Sequence, residues 1–71
     1  MFLIVEEIQP GIFGQTESIK AISAFKINDI VRVKSRQNNR CVIITSDNEC
    51  HLINESIEEV ISKCIKLSEN E

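Results

Sequence analysis

Apolar residues recur along the chain in short blocks, and the spacing within each block predicts its secondary structure. Five blocks either alternate apolar with polar residues or run continuously apolar over a few positions, as β-strands do. The predicted strands lie at about residues 2–8, 19–27, 30–35, 40–45 and 49–53. A final block, at about 57–67, has helical spacing. We therefore predict an α+β fold, a small antiparallel β-meander of four to five strands packed against one C-terminal amphipathic helix.

The second block fits two kinds of structure. A helix over residues 18–25 is conceivable, because Ala21 and Ala24 favour helical backbone. The β-branched residues of the block and the Asn28-Asp29 turn signal that follows it favour a strand. We therefore predict a strand here.

The third block alternates more regularly. Val31 and Val33 are predicted to point to one face, and Arg32 and Lys34 to the other. This alternation is typical of a strand with one face on a core and one face in water.

Turn residues separate the blocks. Asn and Gln at 37–39 tolerate left-handed backbone, and the residues at 47–48 have the spacing of a tight hairpin. The stretch 11–18, with two glycines, is predicted to be a loop. Its apolar residues Ile12 and Phe13 either tuck under the sheet as a plug or stand exposed as a contact surface.

The C-terminal block carries a start signal for a helix. Ser56 and Glu59 have the S-x-x-E spacing of a capping box, in which each side chain binds the other residue's backbone N–H. Acidic residues in the first turn and lysines later match the helix dipole. The predicted core-facing stripe consists of Ile57, Val60, Ile61, Cys64 and Ile65.

The length of the chain bounds its stability. With 71 residues, of which 42% are hydrophobic and 27% charged, it has the composition of one globular domain. A core this small supplies only about 3 to 5 kcal/mol. Exposed strand edges on such a core favour a homo-oligomer, a dimer first.

The chemistry-bearing residues are sparse. The cysteines Cys41, Cys50 and Cys64 are odd in number and have no CxxC spacing, so we expect buried free thiols and no metal or cofactor. His51 is interpreted as a satisfied or solvent-facing side chain. Glu6 and its neighbour Glu7 would point to opposite faces of a strand. With no catalytic motif, we expect a protein that is not an enzyme.

The first residues of the chain also bear on the cellular location of the protein. Residues 1–5 are apolar, but two glutamates follow at once, and neither a signal peptide nor a membrane span fits so short a run. We expect a cytoplasmic protein with no membrane partner.

Positive charge is concentrated in one segment. Residues 20–40 contain six Lys and Arg against one Asp, although the whole chain has a net charge of −3. Arg32, Lys34 and Arg36 share a strand face, and Arg40 returns beside them, which predicts a basic stripe. The stripe is interpreted as a solvated sheet face, as a docking surface for an acidic protein partner, or as a nucleic-acid contact. Nucleic acid fits less well, because the chain is acidic and has neither Tyr nor Trp.

Several segments resemble a known family. They are Ala24–Val33, Cys41–Thr45 and Leu52–Ile61, which includes the sequence Glu-Ser-Ile-Glu-Glu-Val. Together they are similar to a strand, an Asn-containing turn, a hairpin and the closing helix of small FlbD/SwrD-type bacterial proteins and their phage relatives. The resemblance covers roughly residues 24–66, and a looser version of the pattern occurs in the LytTR DNA-binding domain. It implies a regulatory or accessory binding role without catalytic residues.

Overall fold

The computed structural model describes residues 1–9 and 19–69, and within them the strand and helix blocks read from the sequence recur. The strands are β1 (Phe2–Gln9), β2 (Ile19–Lys26), β3 (Ile30–Arg36), β4 (Arg40–Thr45) and β5 (Cys50–Ile53). A short 3₁₀ turn, Ile27–Asp29, joins β2 to β3, and helix α1 (Ile57–Glu69) follows β5.

The five strands form one antiparallel sheet with the order β2-β1-β5-β4-β3. The predicted fold class, a small antiparallel sheet packed against one C-terminal helix, is confirmed. The strands β3, β4 and β5 follow one another as a meander, and β1 and β2 form a separate hairpin that joins it through β5. Successive strands β2 and β3 therefore lie at opposite edges.

The short connection between these two edges forces the sheet to curve. Lys26 and Ile30 are four residues apart, so their Cα atoms lie within about 14 Å of each other. Five flat strands would place the two edges about 19 Å apart. Ser46 N donates to Asp29 O at 2.8 Å, which ties the 3₁₀ turn to the β4–β5 hairpin. The sheet is bent at this end, with its inner face concave.

The core fills the concave face. All five strands and α1 contribute to it, and its fully or nearly buried members are Leu3, Val5, Phe25, Cys41, Ile43, Ile53 and Val60. The register places these strand residues on one face, since directly paired residues share a side. We call this the inner face, and the opposite one the outer face.

The alternation predicted for β3 is wrong at Val31. The register shifts between Ile30 and Arg32, as in a β-bulge, so Val31 does not follow the strict two-residue period. Val31 is 68% exposed, whereas Val33 packs against the core. The bulge keeps both Ile30 and Val33 on the inner side and sends Arg32 outward.

The turns use left-handed asparagines, as their sequences predict. Asn38 and Asn39, between β3 and β4, have φ of 63° and 57°, and Asn48, between β4 and β5, has φ of 65°. Asn tolerates this region better than most residues with a Cβ. In the second hairpin, Asn48 N donates to Thr45 O at 2.9 Å.

The core-facing stripe of α1 differs from the predicted one. Ile57, Val60, Cys64 and Leu67 pack against the core, whereas Ile61 and Ile65 are about half exposed. The helix is therefore rotated toward Leu67, and its buried stripe is narrower than the sequence suggests. At its start, Ser56 Oγ accepts the Glu59 N–H at 3.2 Å, and the Ser56 hydroxyl contacts the Glu59 carboxylate at 3.3 Å. The cap is present, but the reciprocal contact goes to a hydroxyl and not to the backbone.

Candidate binding face on the sheet

The pairing register defines the outer face residue by residue. A single row of directly paired residues crosses the whole sheet on this side: Lys20, Ile8, Leu52, Val42 and Lys34. Its central side chains are largely covered, and its two ends are lysines on the two edge strands. Along this row, the outer face therefore has largely buried apolar side chains at its centre and charged side chains at the two edge strands.

All six basic residues of segment 20–40 lie on the outer face. Arg32, Lys34 and Arg36 pair with the outward residues of β4, and the two lysines of β2 pair with the outward residues of β1. The six, which we call the basic set, are Lys20, Lys26, Arg32, Lys34, Arg36 and Arg40. Among residues 1–9 and 19–69, no member of the set has a carboxylate within ion-pair distance. The predicted basic stripe therefore exists, and β2 extends it.

Arg36 and Arg40 stand directly opposite each other at the end of the β3–β4 hairpin. Like charges in this position repel, so an oxyanion between the two guanidinium groups would stabilise the pair. An open groove of about 600 Å³ lies beside them. It is lined by Ser35, Arg36, Gln37, Asn38, Arg40 and Leu52. The groove offers cationic and amide donors, the groups that bind carboxylate or phosphate oxygens.

Arg40 is held in place by a polar network. Its Nε donates to Asn54 Oδ1 at 3.3 Å, and Asn54 Nδ2 donates to Glu6 Oε1 at 2.7 Å. Glu6 is thereby occupied by an amide and does not pair with the guanidinium. The network fixes one arginine of the opposed pair and leaves Arg36 exposed.

Apart from Glu6, which lies on the outer face, the carboxylates of the turns and of the helix start lie on other parts of the surface. Asp47 is in the β4–β5 turn, where the Thr45 hydroxyl and the Glu49 N–H donate to it and lower its pKa below the usual value. Glu58 and Glu59 lie in the first turn of α1 and are exposed. The described surface is therefore electrically divided, with a basic outer face on a chain that is acidic overall.

An apolar patch adjoins the basic set on the β1–β2 hairpin. Phe2, Ile4 and Ile22 are 57%, 59% and 73% exposed. Ile4 pairs directly with Ala24, and Ile22 lies diagonally from it across the same two strands. We call these four residues the hairpin patch. Single exposed apolar residues are ordinary, whereas a contiguous group makes this part of the sheet a candidate contact surface.

The sequence-predicted site residues fall into two groups. Arg32, Lys34, Arg36 and Arg40 come together on the outer face, whereas Ile12 and Phe13 lie outside the described residues. Sequence reasoning missed the hairpin patch, because apolar residues on both faces of β1 give no sign of which face is covered. It also left Lys20 and Lys26 unassigned, because their position on the same face depends on strand pairing.

His51 forms a polar cluster on the inner face. Its Nδ1 lies 3.0 Å from Glu7 Oε2, and Ser23 Oγ donates to Glu7 Oε1 at 2.7 Å. The ring stacks edge-on against Phe25, with centroids 4.9 Å apart. Serine and histidine both bind the carboxylate here and not each other, so the arrangement does not activate the serine as a nucleophile. His51 is a satisfied side chain, and Glu6 and Glu7 do point to opposite faces.

The cysteines are all free thiols, but they differ in burial. Cys41 is buried, Cys64 is half-buried, and Cys50 is exposed on the outer face. The expectation of buried thiols is wrong for Cys50, which lies on the outer face but outside the row of covered apolar side chains. Within the described residues, no cluster of His, Cys, Asp or Glu could hold a metal ion.

Comparisons with known proteins gave no relative. No protein-family model, no curated protein and no solved structure matches the chain. Across the part of the chain that the structure describes, no helix has the length and apolar character needed to cross a bilayer.

Proposed function

We propose that the chain is a small, non-catalytic accessory or regulatory protein that acts by binding another protein through the outer face of its sheet. The basic set supports this most directly. Six cations on one face, with no carboxylate at ion-pair distance among the described residues, form a surface complementary to an acidic partner. The groove beside Arg36 and Arg40 gives this surface a concave point of attachment.

A pull-down with charge variants tests this proposal. The tagged protein is compared with a triple variant, Arg32→Ala, Lys34→Ala and Arg36→Ala, in lysate of its native cells, with and without nuclease. We expect one stoichiometric protein that survives nuclease and is lost from the triple variant. The matched control is Lys66→Ala, which removes an exposed cation from α1 and should capture the partner normally. Equal capture by the triple variant would contradict the outer face as the binding surface.

We further propose that the chain forms a homodimer through the hairpin patch. A domain of this size has a small core, and burying Phe2, Ile4 and Ile22 against a second copy would extend it. A dimer with two-fold symmetry would place the same patch on both sides of the interface.

Sedimentation equilibrium over a range of concentrations tests the dimer. Ile22→Asp should shift the equilibrium to monomer, because it places a charge in the buried patch. Val31→Asp is the control, since Val31 is equally exposed but lies on the bulge of the opposite edge strand. A wild-type chain that stays monomeric at high concentration would refute the dimer.

The second candidate function is nucleic-acid binding by the same basic set. It is favoured by the two opposed arginines, because guanidinium groups bind phosphate oxygens as well as carboxylates. Phosphate contacts release counterions, so this function requires an affinity for DNA or RNA that falls steeply with salt and with the triple variant. A pull-down that loses everything on nuclease treatment would favour it over a protein partner.

Three free thiols suit a reducing compartment, which supports the cytoplasm. The segments that resemble FlbD/SwrD-type proteins form the end of β2 with the 3₁₀ turn and the start of β3, then most of β4, and then the end of β5 with the capped start of α1. We therefore propose that the chain belongs to this group of small bacterial or phage proteins.

A further inference from the structure

Among residues 1–9 and 19–69, no strand pairs with the outer edge of β2, which carries a row of backbone hydrogen-bonding groups. In β1, Glu6 O accepts the Asn54 N–H at 2.8 Å, and Ile4 O accepts from Lys63 Nζ at 3.2 Å. The backbone of Glu6 and Ile4 thus points away from β2. Their antiparallel partners, Ile22 and Ala24, are therefore in non-hydrogen-bonded pairs, and their own N–H and C=O groups point outward from the sheet.

The two edge strands of the sheet are protected to different degrees. β3 carries a bulge at Val31 and three exposed cations along its length, both of which discourage the addition of another strand. β2 pairs with β1 over eight consecutive residues without a register shift. Its lysines lie near the two ends, and between them the outer-face side chains are those of Ile22 and Ala24. Within the described part of the chain, the middle of β2 is thus the open, regular edge of the sheet.

The charges at the two ends of β2 differ. Lys20 is exposed at the start of the strand. At the other end, a cleft of about 300 Å³ separates β2 from the β4–β5 hairpin. Its lining includes the carboxylates of Asp29, Asp47 and Glu49, against one ammonium group, that of Lys26. A cleft at the lower limit of ligand-pocket size suits one long side chain.

We propose that the edge of β2 binds an extended segment of a partner protein as an added antiparallel strand. The segment would be apolar at alternate positions, so that it packs beside Ile22 and Ala24. Because it runs antiparallel to β2, its N-terminal end lies at the cleft and carries a basic residue, and its C-terminal end lies at Lys20 and carries an acidic one. Backbone bonds supply the affinity in this mode, and the side chains supply the direction. This surface is independent of the stripe on β3.

A designed peptide tests the proposal. The probe is a blocked octapeptide with Val and Thr alternating, Lys at its N-terminal end and Glu at its C-terminal end. Its matched control has the two charged residues exchanged. Binding is followed by NMR on labelled protein, together with the hydrogen exchange of individual amides. We expect saturable binding that slows the exchange of the Ile22 and Ala24 amides, and at least a tenfold weaker affinity for the exchanged peptide.

A pair of variants separates backbone pairing from side-chain contact. Ala24→Pro removes an N–H that the β1–β2 ladder does not use, so the fold should survive while binding is lost. Ala24→Val keeps that N–H, so saturable peptide binding should persist despite the larger side chain. The triple variant of β3 should also bind normally, which distinguishes this site from the basic stripe. Circular dichroism confirms that each variant is folded.

Three results would overturn the proposal. One is the absence of saturable binding of either peptide to the folded wild-type protein. Another is undiminished peptide binding by folded Ala24→Pro. The third is an undiminished affinity for the exchanged peptide, because the charges at the two ends of β2 would then not set the direction of the added strand.

Discussion

At the scale of single residues, the Glu55 side chain accepts a backbone hydrogen bond from β1 at a point where β5 no longer pairs with that strand. Pairing between β1 and β5 covers only two residues of each strand before the chain turns away toward α1. Glu55, whose side chain is 13% exposed, then accepts the Glu6 N–H at 3.2 Å through Oε2. Its Oε1 lies 2.6 Å from Lys63 Nζ, which in turn donates to Ile4 O. One carboxylate thus links β1 to the helix.

Replacing Glu55 should therefore destabilise the fold. Glu55→Ala leaves the Glu6 N–H without its partner and Lys63 without its counter-ion, and we expect a loss of about 1 to 3 kcal/mol in the free energy of unfolding. Urea denaturation measures this loss. Glu58→Ala, an exposed carboxylate three residues further on, is the control and should change stability by less than about 0.5 kcal/mol. Equal effects of the two substitutions would contradict the assigned role.

The three thiols should differ in reactivity. Burial, with a further contribution from Glu55 and Glu59, raises the pKa of Cys41 to about 11, and burial also raises the pKa of Cys64. Since the thiolate is the nucleophile, iodoacetamide at neutral pH should modify the exposed Cys50 first. Cys41 should react only after unfolding. Peptide mapping by mass spectrometry follows each site, and in urea the three rates should converge. Native Cys41 reacting as fast as Cys50 would be inconsistent with its burial.

The pKa of Cys41 also has a consequence for stability. Because its pKa is higher in the folded than in the unfolded state, the folded state holds its proton more tightly. This contribution to stability is complete below pH 9.0, the ordinary thiol value, and is lost as the pH rises toward about 11.

The backbone conformation of some residues can be predicted from the local sequence, whereas that of others cannot. Asn38, Asn39 and Asn48 occupy left-handed backbone in turns, where asparagine is expected. Val31 gives no such signal, because the bulge that exposes it arises from how β3 is aligned with β4. Local chemistry predicts the first kind of feature, and pairing with a distant strand determines the second.

At the scale of elements, the start of α1 depends on Ser56. Ser→Ala at an N-cap removes the acceptor for the Glu59 N–H, and we expect a loss of about 1 kcal/mol in the free energy of unfolding. Ser62→Ala is the matched control, since Ser62 is exposed inside the helix and alanine favours helical backbone. Thermal or urea unfolding compares the two. A control that is destabilised as much as Ser56→Ala would show that the cap is not the cause.

The positions of the elements were easier to predict than their arrangement. Period-two blocks, turn residues and the S-x-x-E cap place the strands and the helix within a few residues of their observed bounds. The strand order is another matter, because β1 pairs with β5 more than 40 residues away and no local pattern encodes that choice. The rotation of α1 likewise follows from the curved sheet beneath it, which selects Leu67 over Ile61 and Ile65.

At the scale of the whole molecule, folding converts a basic segment into a basic face. Segment 20–40 crosses from one edge of the sheet to the other, and the bulge in β3 keeps Arg32 on the same side as the lysines of β2. The parity of Arg32, Lys34 and Arg36 made the stripe predictable. The contribution of Lys20 was not, because it requires the row of pairs that joins Lys20 to Lys34 across all five strands.

Photo-crosslinking tests the central claim, that the outer face is the surface by which the protein binds its partner. A photo-crosslinking amino acid is placed at Lys34 on the outer face and, separately, at Lys66 on the exposed side of α1, and each protein is irradiated in its native cells. We predict one major protein adduct from position 34, insensitive to nuclease, and none from position 66. Adducts that form only from position 66, or only with nucleic acid at position 34, would contradict the account.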